Sequence, residues 1–313
     1  MRLNKIMMIC LTAFLVFSCD NDDDTPEIVP PRDRGEQAIE DDQALIDYMS
    51  SHFYNYEEFE DPAEDFDYVV RFDSITGENQ DKTPIIESEN LVTKTVNFEG
   101  VDQLLYVLVV REGEGPKPSF ADSTFVTYRG QLLNDVVFDS RLKSPSWFNL
   151  TSYYVQGPNG PSLVPGPVKG FSEGLQEFRA ATGYTINPDN TIQWNNDFGV
   201  GAILMPSGLA YFNNSQSTIP AYSPLIFSIN MYQAKEADHD RDGILSLTED
   251  IDEDESIYND DTDGDGFPNF SDPDDDGDGT PTRDEIVINE DGSVSFPDSN
   301  GNGTPDYLDP DTF

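Results

Sequence analysis

The chain has 313 residues, of which 61 are acidic and 17 are basic, so its formal net charge at pH 7 is −44. A surface this acidic repels phosphate groups, which argues against nucleic-acid binding. Apolar residues make up 36% of the chain, enough for one substantial core but not for a chain that is globular throughout.

The first 18 residues have the pattern of a secretory signal. MRLNK is basic, and the apolar run IMMICLTAFLVFS that follows has 13 residues, too short to span a bilayer. The run ends at Val16-Phe17-Ser18-Cys19, which resembles a bacterial lipobox; an ordinary secretory signal beside an incidental cysteine is the alternative. We therefore predict a lipoprotein signal peptide over residues 1–18 and lipidation of Cys19.

Removal of this signal has consequences for chemistry and location. Cys10 would be lost and Cys19 acylated, so the mature chain would hold no free thiol, disulfide or zinc–cysteine site. Acyl chains anchor a protein to a membrane without a transmembrane helix. The acidic DNDDD that follows resembles lipoprotein export signals of Bacteroidetes-type bacteria. We predict a protein of the Gram-negative cell envelope, anchored in the outer membrane on its periplasmic or its surface face.

Three regions are predicted between the anchor and residue 235. Residues 19–35 are acidic and proline-bearing, as an extended tether would be. Residues 36–100 begin with apolar residues at helical spacing from Glu36 to about Phe53, and then contain strand-like runs at 67–75 and 91–101. Strand-like runs recur through residues 101–235 and predict a sheet domain.

Five sequence blocks of this sheet domain occur in an order known from one family. They are V-T-Y-R-G and, ten residues after its tyrosine, F-D-S, then VPGPVKGFSEGL (164–175), MPSGLAYF (205–212) and STIPAYSPLIFSINMY (217–232). This ordered set resembles the FKBP-type peptidyl-prolyl cis-trans isomerases. The resemblance implies an α+β fold, in which a curved antiparallel sheet wraps a short helix at about 170–177.

The resemblance also implies a site and its chemistry. Rotation about an X-Pro bond has a barrier of roughly 20 kcal/mol and needs neither cofactor nor acid–base catalysis, only an apolar cleft that favours the twisted amide. Residues expected to line the pocket are Tyr128, Phe138, Phe148, Val168, Phe171 and Phe227. Asp139 would bond near the Tyr128 hydroxyl, Tyr211 would donate to a substrate carbonyl, and Ile219 would contribute backbone and side-chain contacts. Taken singly, each aromatic residue would more often be ordinary core packing, and only the joint match to the family favours a site.

Three departures from the family pattern affect this site. An arginine usual shortly after F-D-S has no certain equivalent, although Arg141 or Lys143 could serve. Phe212 stands where the family has glycine after its L-A-Y block, so the following loop could bend differently. Residues 182–199 form an insertion in place of a tight hairpin turn. The insertion could cap the cleft or change its partners.

Residues 238–313 change in character, because they hold 26 acidic residues and only two basic ones. The pattern D-x-[DN]-x-[DN]-G with a carboxylate at position twelve occurs four times, as in EF-hand-like calcium loops. Its ligands would be Asp238, Asp240, Asp242 and Glu249; Asp261, Asp263, Asp265 and Asp272; Asp274, Asp276, Asp278 and Glu285; and Asp298, Asn300, Asn302 and Asp309. The loop spacing resembles thrombospondin type-3 repeats, and a disordered acidic tail is the alternative. We predict an irregular tail without a conventional core, ordered by structural Ca²⁺.

The histidines give no sign of other chemistry. His52 lies near the end of the predicted helix, and His239 occupies a position of the first calcium loop that should face solvent. Neither favours a catalytic triad or a zinc site.

These observations favour one hypothesis and leave two others open. The first is a lipid-anchored isomerase that assists the folding of proline-containing polypeptide clients outside the cytoplasm, with a calcium-stabilised tail. The second is a non-catalytic peptide-binding or chaperone module of the same fold. The third is a calcium-dependent surface spacer or adhesion protein.

Overall fold

The computed structural model describes residues 30–155, 157 and 160–313 of the chain. The predicted signal peptide, Cys19 and most of the predicted tether lie outside these residues. Within the described part, Arg32–Phe313 forms one compact unit. No helix of that described part is both long enough and apolar enough to cross a membrane.

The described residues form four α-helices: α1 (Arg34–Ser51), α2 (Tyr56–Glu60), α3 (Lys169–Leu175) and α4 (Thr282–Glu285). The helix predicted from Glu36 is therefore confirmed as α1. It begins earlier because the Asp33 side chain caps it, accepting from the backbone N–H groups of Gly35 and Glu36 at 2.9 and 3.0 Å. The short helix predicted at about 170–177 is confirmed as α3.

The strands, in chain order, are β1 (His52–Tyr54), β2 (Phe72–Ser74), β3 (Leu91–Phe98), β4 (Val101–Arg111), β5 (Ser123–Leu132), β6 (Val137–Ser140), β7 (Ser146–Asn149), β8 (Tyr153–Val155), β9 (Ser162–Val164), β10 (Tyr184–Ile186), β11 (Ile192–Trp194), β12 (Gly199–Met205), β13 (Leu225–Lys235), β14 (Val287–Ile288) and β15 (Val294–Ser295). Seven of them form one sheet in the order β3-β4-β12-β13-β5-β6, and β7 pairs with β5 beside β6. All its pairings are antiparallel. The predicted α+β class, with an antiparallel sheet and a short helix against it, is confirmed.

The two faces of this sheet bury different partners. Successive strand residues point to opposite faces, so Leu105 and Val107 face α3 whereas Tyr106 and Leu108 face α1. We call the α3 side the inner face and the α1 side the outer face. Every residue of β12 is buried because both faces are covered at the centre of the sheet. This explains its nearly uninterrupted apolar sequence GVGAILM.

The N-terminal region is part of this architecture. Leu45, Tyr48 and Met49 of α1 are buried in the outer-face core with Leu108 of β4 and Ile226 of β13. Each such buried side chain contributes about 1.5–3 kcal/mol relative to exposure. The boundary predicted between residues 100 and 101 separates β3 from β4, two strands that pair over eight residues. The division into regions stays a prediction, but the sheet itself starts at Leu91.

The insertion at 182–199 forms the β10–β11 hairpin on the side of the outer-face core. Trp194 stacks on Tyr232 at a ring-centroid distance of 5.4 Å, and Phe198 belongs to the same core. The main-chain carbonyls of Asn196 and Phe198 accept from the Arg111 side chain at 3.2 and 2.7 Å. The insertion does not cap the cleft that the resemblance implies, because no residue of 182–199 lines that cleft.

The acidic tail buries a few apolar residues in two small clusters. Ile257 and Phe270 pack with Ala121 of the sheet domain, and Phe120 and Tyr153 border this cluster. A second cluster within the tail contains Ile244, Ile286 and Tyr307. Neither is a conventional core, but each lies at a contact between neighbouring segments of the chain.

The tail is also hydrogen-bonded to the sheet domain just after β7. The Tyr258 hydroxyl bonds the Thr151 hydroxyl and accepts from the backbone N–H of Ser152 at 2.9 Å. The backbone N–H of Ala237 donates to the Asp122 carboxylate at 3.3 Å. Polar and apolar contacts together hold the tail against the loops at residues 120–122 and 150–153.

Candidate functional site

An apolar cavity of about 460 Å³ lies on the inner face of the sheet, beside α3. It brings together all nine residues that the family resemblance implies, from six separate parts of the chain: Tyr128, Phe138, Asp139, Phe148, Val168, Phe171, Tyr211, Ile219 and Phe227. The sequence analysis missed four further lining residues, namely Pro167, Gln216, Ser217 and Thr218. They directly precede two of the implied residues, Val168 and Ile219, which is the signal that could have found them.

Aromatic rings form the floor and walls of the cavity. Phe171, only 3% exposed, lies at the bottom. Its ring centroid is 5.0 Å from that of Phe227, 5.3 Å from Phe148 and 6.2 Å from Tyr128, all in edge-to-face arrangements. Phe138 meets Phe227 in the same way at 5.4 Å. Edge-to-face packing keeps these rings in fixed relative orientations, so the cavity has a preformed apolar lining.

One polar pair lies at the wall of the cavity. The Tyr128 hydroxyl donates to the Asp139 carboxylate at 2.6 Å, as the resemblance implies. Burial, followed by the hydrogen bond and charge of Asp139, raises the pKa of Tyr128 to about 12. The phenol therefore stays protonated at neutral pH and fixes the Asp139 carboxylate beside the apolar lining.

Gly130 explains how Phe138 reaches the cavity. In the sheet, Gly130 pairs with Phe227 of β13 on one side and with Asp139 of β6 on the other. A Cβ atom at Gly130 would lie 2.5 Å from the Phe138 ring and 3.0 Å from the Phe227 ring. Only glycine leaves space for both rings here, which gives a physical reason for the glycine of the V-T-Y-R-G block.

The segment from Ser207 to Ile219 forms the wall that carries Tyr211. Phe212 adopts a left-handed φ of 48°, and its buried ring lies under the Arg34 guanidinium at 4.1 Å. Phe212 therefore adopts a left-handed conformation at a cost in backbone strain, and glycine, which is usual at this position in the family, would adopt it without that cost. The Ile219 N–H donates to the Gln216 carbonyl at 3.2 Å, and the Ile219 carbonyl accepts from the Gln216 N–H at 2.9 Å. The contacts of Ile219 with a substrate stay a prediction.

Helix α1 holds the start of this segment from outside. The Asp41 carboxylate is 2% exposed and accepts from the backbone N–H of Ser207 at 2.7 Å, from the Ser207 hydroxyl at 2.5 Å and from Gln37 at 2.8 Å. Burial raises the pKa of Asp41 despite these bonds. The sequence analysis did not find this residue, since an aspartate in a helix that is otherwise acidic gives no pattern.

The tail contains a second kind of candidate site, built from carboxylates. Gly243, Gly266, Gly279 and Gly303, at position six of the four predicted loops, have φ values of 108°, 96°, 98° and 97°. These left-handed values match the sharp turn that a calcium loop requires at this position.

Three of the loops bring carboxylates together within 4.8 Å. The groups are Asp240, Asp242 and Glu249 with Asp275; Asp261, Asp263 and Asp265; and Asp274, Asp276 and Asp278. Within the described residues, seven predicted ligands are not members of these groups: Asp238, Asp272, Glu285, Asp298, Asn300, Asn302 and Asp309. Asp238 instead accepts from the backbone N–H of Arg241 at 2.7 Å.

The fourth predicted loop is satisfied internally. The side-chain amides of Asn300 and Asn302 donate to the Asp309 carboxylate at 2.7 and 2.8 Å, and Asp298 accepts from the backbone of Gly301 at 2.8 Å. The bond from Asn300 is the main reason that the pKa of Asp309 is lowered. Nitrogen rather than oxygen faces the carboxylate here, so this loop fits a cation less well than the others.

A further carboxylate cluster, formed by Asp250, Asp252 and Asp260, was not predicted. The search for D-x-[DN]-x-[DN]-G passed over it because Glu255, not glycine, stands at position six. Glu255 nevertheless adopts a φ of 66°. The conformation could not be read from a glycine-based pattern.

Several carboxylate oxygens of the tail are buried and have no hydrogen-bond partner among the described residues. Both oxygens of Glu249, Asp275 and Glu285 are buried and form no hydrogen bond within the described chain. Burial first, and then neighbouring charges, raise the pKa values of Asp240 and Asp275 to about 9. A hard divalent cation would supply the missing interactions, so the donor set fits Ca²⁺.

His239 lies differently from the prediction. Its ring is 4.5 Å from that of Tyr153 and 5.6 Å from that of Phe270, and its Nδ1 is 2.9 Å from the Ser246 hydroxyl. Burial lowers its pKa. The residue packs between the tail and the sheet domain instead of facing solvent.

Comparisons with known proteins give two separate results. The family model described as BamM C-terminal matches residues 239–296, fewer than a fifth of the chain. No curated protein sequence matches the chain.

Solved structures similar to the chain include a prolyl isomerase. A peptidyl-prolyl cis-trans isomerase from Pseudomonas syringae pv. tomato shares 19% identity over 48% of this chain and 84% of its own, with a TM-score of 0.32. FkpA from Escherichia coli shares 19% identity over 64% of this chain, with a TM-score of 0.36, and the match spans 62% of FkpA. The N-terminal domain of FKBP42 from Arabidopsis thaliana shares 16% identity over 50% of this chain and 98% of its own, with a TM-score of 0.32. At these identities and TM-scores the similarities do not indicate an activity for this chain.

Proposed function

We propose that the chain is a peptidyl-prolyl cis-trans isomerase of the FKBP type that acts on proline-containing polypeptides outside the cytoplasm. The observation that carries this proposal is the preformed cavity at which Tyr128, Phe138, Phe148, Phe171 and Phe227 converge. Its size and apolar lining suit a prolyl ring.

Isomerisation in such a cavity needs binding, desolvation and orientation. A planar imide loses its resonance as it twists, and an apolar environment disfavours the more dipolar planar form. Phe171 would contact the prolyl ring from below. The Tyr211 hydroxyl would donate to a substrate carbonyl, and Asp139, held by Tyr128, would be the polar group beside the twisting bond. No cofactor takes part in this scheme.

The assay is refolding of a client whose slow phase is an X-Pro isomerisation, followed with and without the full chain. We expect faster refolding, roughly tenfold less acceleration with Tyr211→Phe, and a larger loss with Phe138→Ala. Tyr184→Phe is the matched control, because Tyr184 is exposed on the β10–β11 hairpin away from the cavity. Refolding at the uncatalysed rate by correctly folded protein would refute the enzymatic proposal.

A non-catalytic peptide-binding module is the second candidate, and one observation favours it. The Ile219 N–H is already paired with Gln216, which leaves fewer backbone donors for a substrate. This candidate predicts that a proline peptide binds and that Phe138→Ala weakens the binding, while refolding rates stay unchanged.

For the tail we propose structural calcium binding, and for Cys19 a lipid anchor in the outer membrane. The buried, unpartnered carboxylate oxygens support the first part of this proposal. Chelation should increase hydrogen exchange after Asp238 and leave the β5–β13 pairing protected. Incorporation of labelled palmitate that is abolished by Cys19→Ala tests the anchor, and labelling of a Cys19→Ala chain at wild-type level would refute it.

A further inference from the structure

The first tail loop contains the most deeply buried carboxylates of the tail. Asp240, Asp242, Glu249 and Asp275 each offer one oxygen, and these oxygens all lie within 4.8 Å of one another. Glu249 is 1% exposed, and Asp242 and Asp275 are each 2% exposed. We call these four residues the cross-loop cage.

Hydrogen bonds do not offset the energetic cost of burying these carboxylates. Both oxygens of Glu249 and both of Asp275 have no hydrogen-bond partner among the described residues, and neither does Oδ2 of Asp240 or of Asp242. Buried carboxylates without hydrogen bonds or a counter-charge are strongly unfavourable. The unpartnered oxygens of Glu249 and Asp275 point independently to a bound cation.

Asp275 belongs to a different loop from the other three members. It is the second residue of the third loop, whose Asp274, Asp276 and Asp278 converge on a separate group. The Asp275 backbone N–H donates to the Thr282 hydroxyl at 3.1 Å, which fixes this residue within the third loop. One short segment therefore supplies carboxylates to two neighbouring groups.

We infer that Asp275 is a ligand of the calcium ion held by Asp240, Asp242 and Glu249, and that this ion ties the first loop to the third. The inference rests on the proposed calcium binding by the tail. With Glu249 binding through both oxygens, the cage supplies five of the six to eight oxygens that Ca²⁺ takes. An all-carboxylate set suits Ca²⁺ better than Mg²⁺, which retains several waters.

The shared segment has a consequence for binding. Residues 274–278 supply ligands to both groups, so an ion bound at either group should hold part of the ligand set of the other in place. By linkage, the coupling is reciprocal. Loss of the Asp275 carboxylate should therefore weaken binding at the first loop and also lower the affinity of the third.

The test compares Asp275→Asn with Asp284→Asn in the full chain, in detergent, by calorimetric titration with CaCl₂ alone. Asp284 is exposed and lies outside all the carboxylate groups, so its substitution removes the same charge without removing a ligand. We expect Asp275→Asn to weaken the first-loop site by roughly tenfold or more and the third-loop site by a smaller factor, and Asp284→Asn to leave the titration close to wild type. In calcium, amides 240–249 should exchange faster in Asp275→Asn only.

Glu249→Gln and the double variant with Asp275→Asn distinguish the loss of a shared ion from a folding defect. Because Glu249 and Asp275 act on one ion, the double variant should lose little beyond the larger single effect. Additive losses at two sites, or an Asp275→Asn titration equal to that of Asp284→Asn, would overturn the inference and leave the calcium tail standing. A wild-type chain that binds no calcium would overturn both.

Discussion

Removal of the Asp41 carboxylate tests whether α1 supports the cavity wall. Asp41 is buried on α1 and accepts two hydrogen bonds from Ser207, which is itself fully buried. The 3₁₀ turn Ser207–Leu209 follows directly and leads to Tyr211. Asp41→Ala would leave the backbone N–H and the hydroxyl of Ser207 without an acceptor.

The magnitude follows from these two groups. An unsatisfied buried donor costs about 1–3 kcal/mol, and relief of the buried charge offsets part of that sum. We expect the free energy of unfolding to fall by about 2–4 kcal/mol, which corresponds to a decrease in Tm of roughly 5–15 °C at this size. Asp47→Ala, on the exposed side of the same helix, should stay within about 0.5 kcal/mol.

Guanidinium denaturation measures the stability, and the proline-limited refolding assay measures the cavity. Asp41→Ala should also reduce the acceleration of refolding at a temperature where it remains folded, because the turn before Tyr211 loosens. An effect on stability no larger than that of Asp47→Ala would refute the reasoning.

The pH dependence of Asp41→Asn provides a second check. Burial raises the folded-state pKa of Asp41 above its unfolded value, so the native state retains the proton longer. The stabilisation from Asp41 is therefore fully present below the unfolded pKa and is lost as pH rises through the folded pKa. The stability difference between wild type and Asp41→Asn should shrink as pH rises across that window, and a difference that grows would contradict this assignment.

Three further predictions concern the cavity and the tail. Gly130→Ala should displace the Phe138 ring and lower refolding acceleration roughly tenfold, whereas an unchanged rate would show that the ring has other space. Between pH 10 and about 12 the raised pKa of Tyr128 predicts a loss of native stability as pH rises, and a pH titration of Tyr128→Phe by circular dichroism should lack that component. Phe270→Ala should cost about 3–5 kcal/mol of tail stability, measured by hydrogen exchange, with β12 still protected; global unfolding would contradict a local role.

The cavity could be predicted from sequence because its residues lie in short blocks of fixed order. Tyr128 and Phe227 sit on adjacent strands of one sheet, and strand alternation sends them to the same face. Phe138 lies at a register shift between β5 and β6, so alternation alone does not predict its position. The roles of these residues remain proposals.

What sequence could not provide are contacts between distant segments that have no pattern of their own. Asp41 meets Ser207 across 166 positions, and Asp275 joins a cage whose other members begin at Asp240. A single carboxylate gives no signal in a chain with 61 acids. The docking of Ile257 and Phe270 was missed for a related reason, because isolated apolar residues in an acidic segment show no periodicity.

The regions on either side of the predicted isomerase domain contact two segments that line its cavity, which leads to a last prediction. Helix α1 fixes Ser207, four residues before Tyr211, and the tail residue Tyr258 bonds Thr151, three residues after Phe148. A fragment of residues 101–235 would also lack β3 and would expose Leu108 and the rest of the outer-face core that α1 covers.

We therefore expect fragment 101–235 to lack the cooperative unfolding transition of a native fold, since each uncovered core side chain costs about 1.5–3 kcal/mol. A fragment of residues 32–235 keeps α1 and β3, so it should fold, but with faster exchange at residues 146–153 and weaker refolding acceleration than the full chain. Circular dichroism melts, hydrogen exchange and the refolding assay compare the three. Full activity of fragment 101–235 would mean that the cavity does not depend on the flanking regions. Equal exchange at residues 146–153 in fragment 32–235 and the full chain would mean that the tail does not stabilise this part of the cavity.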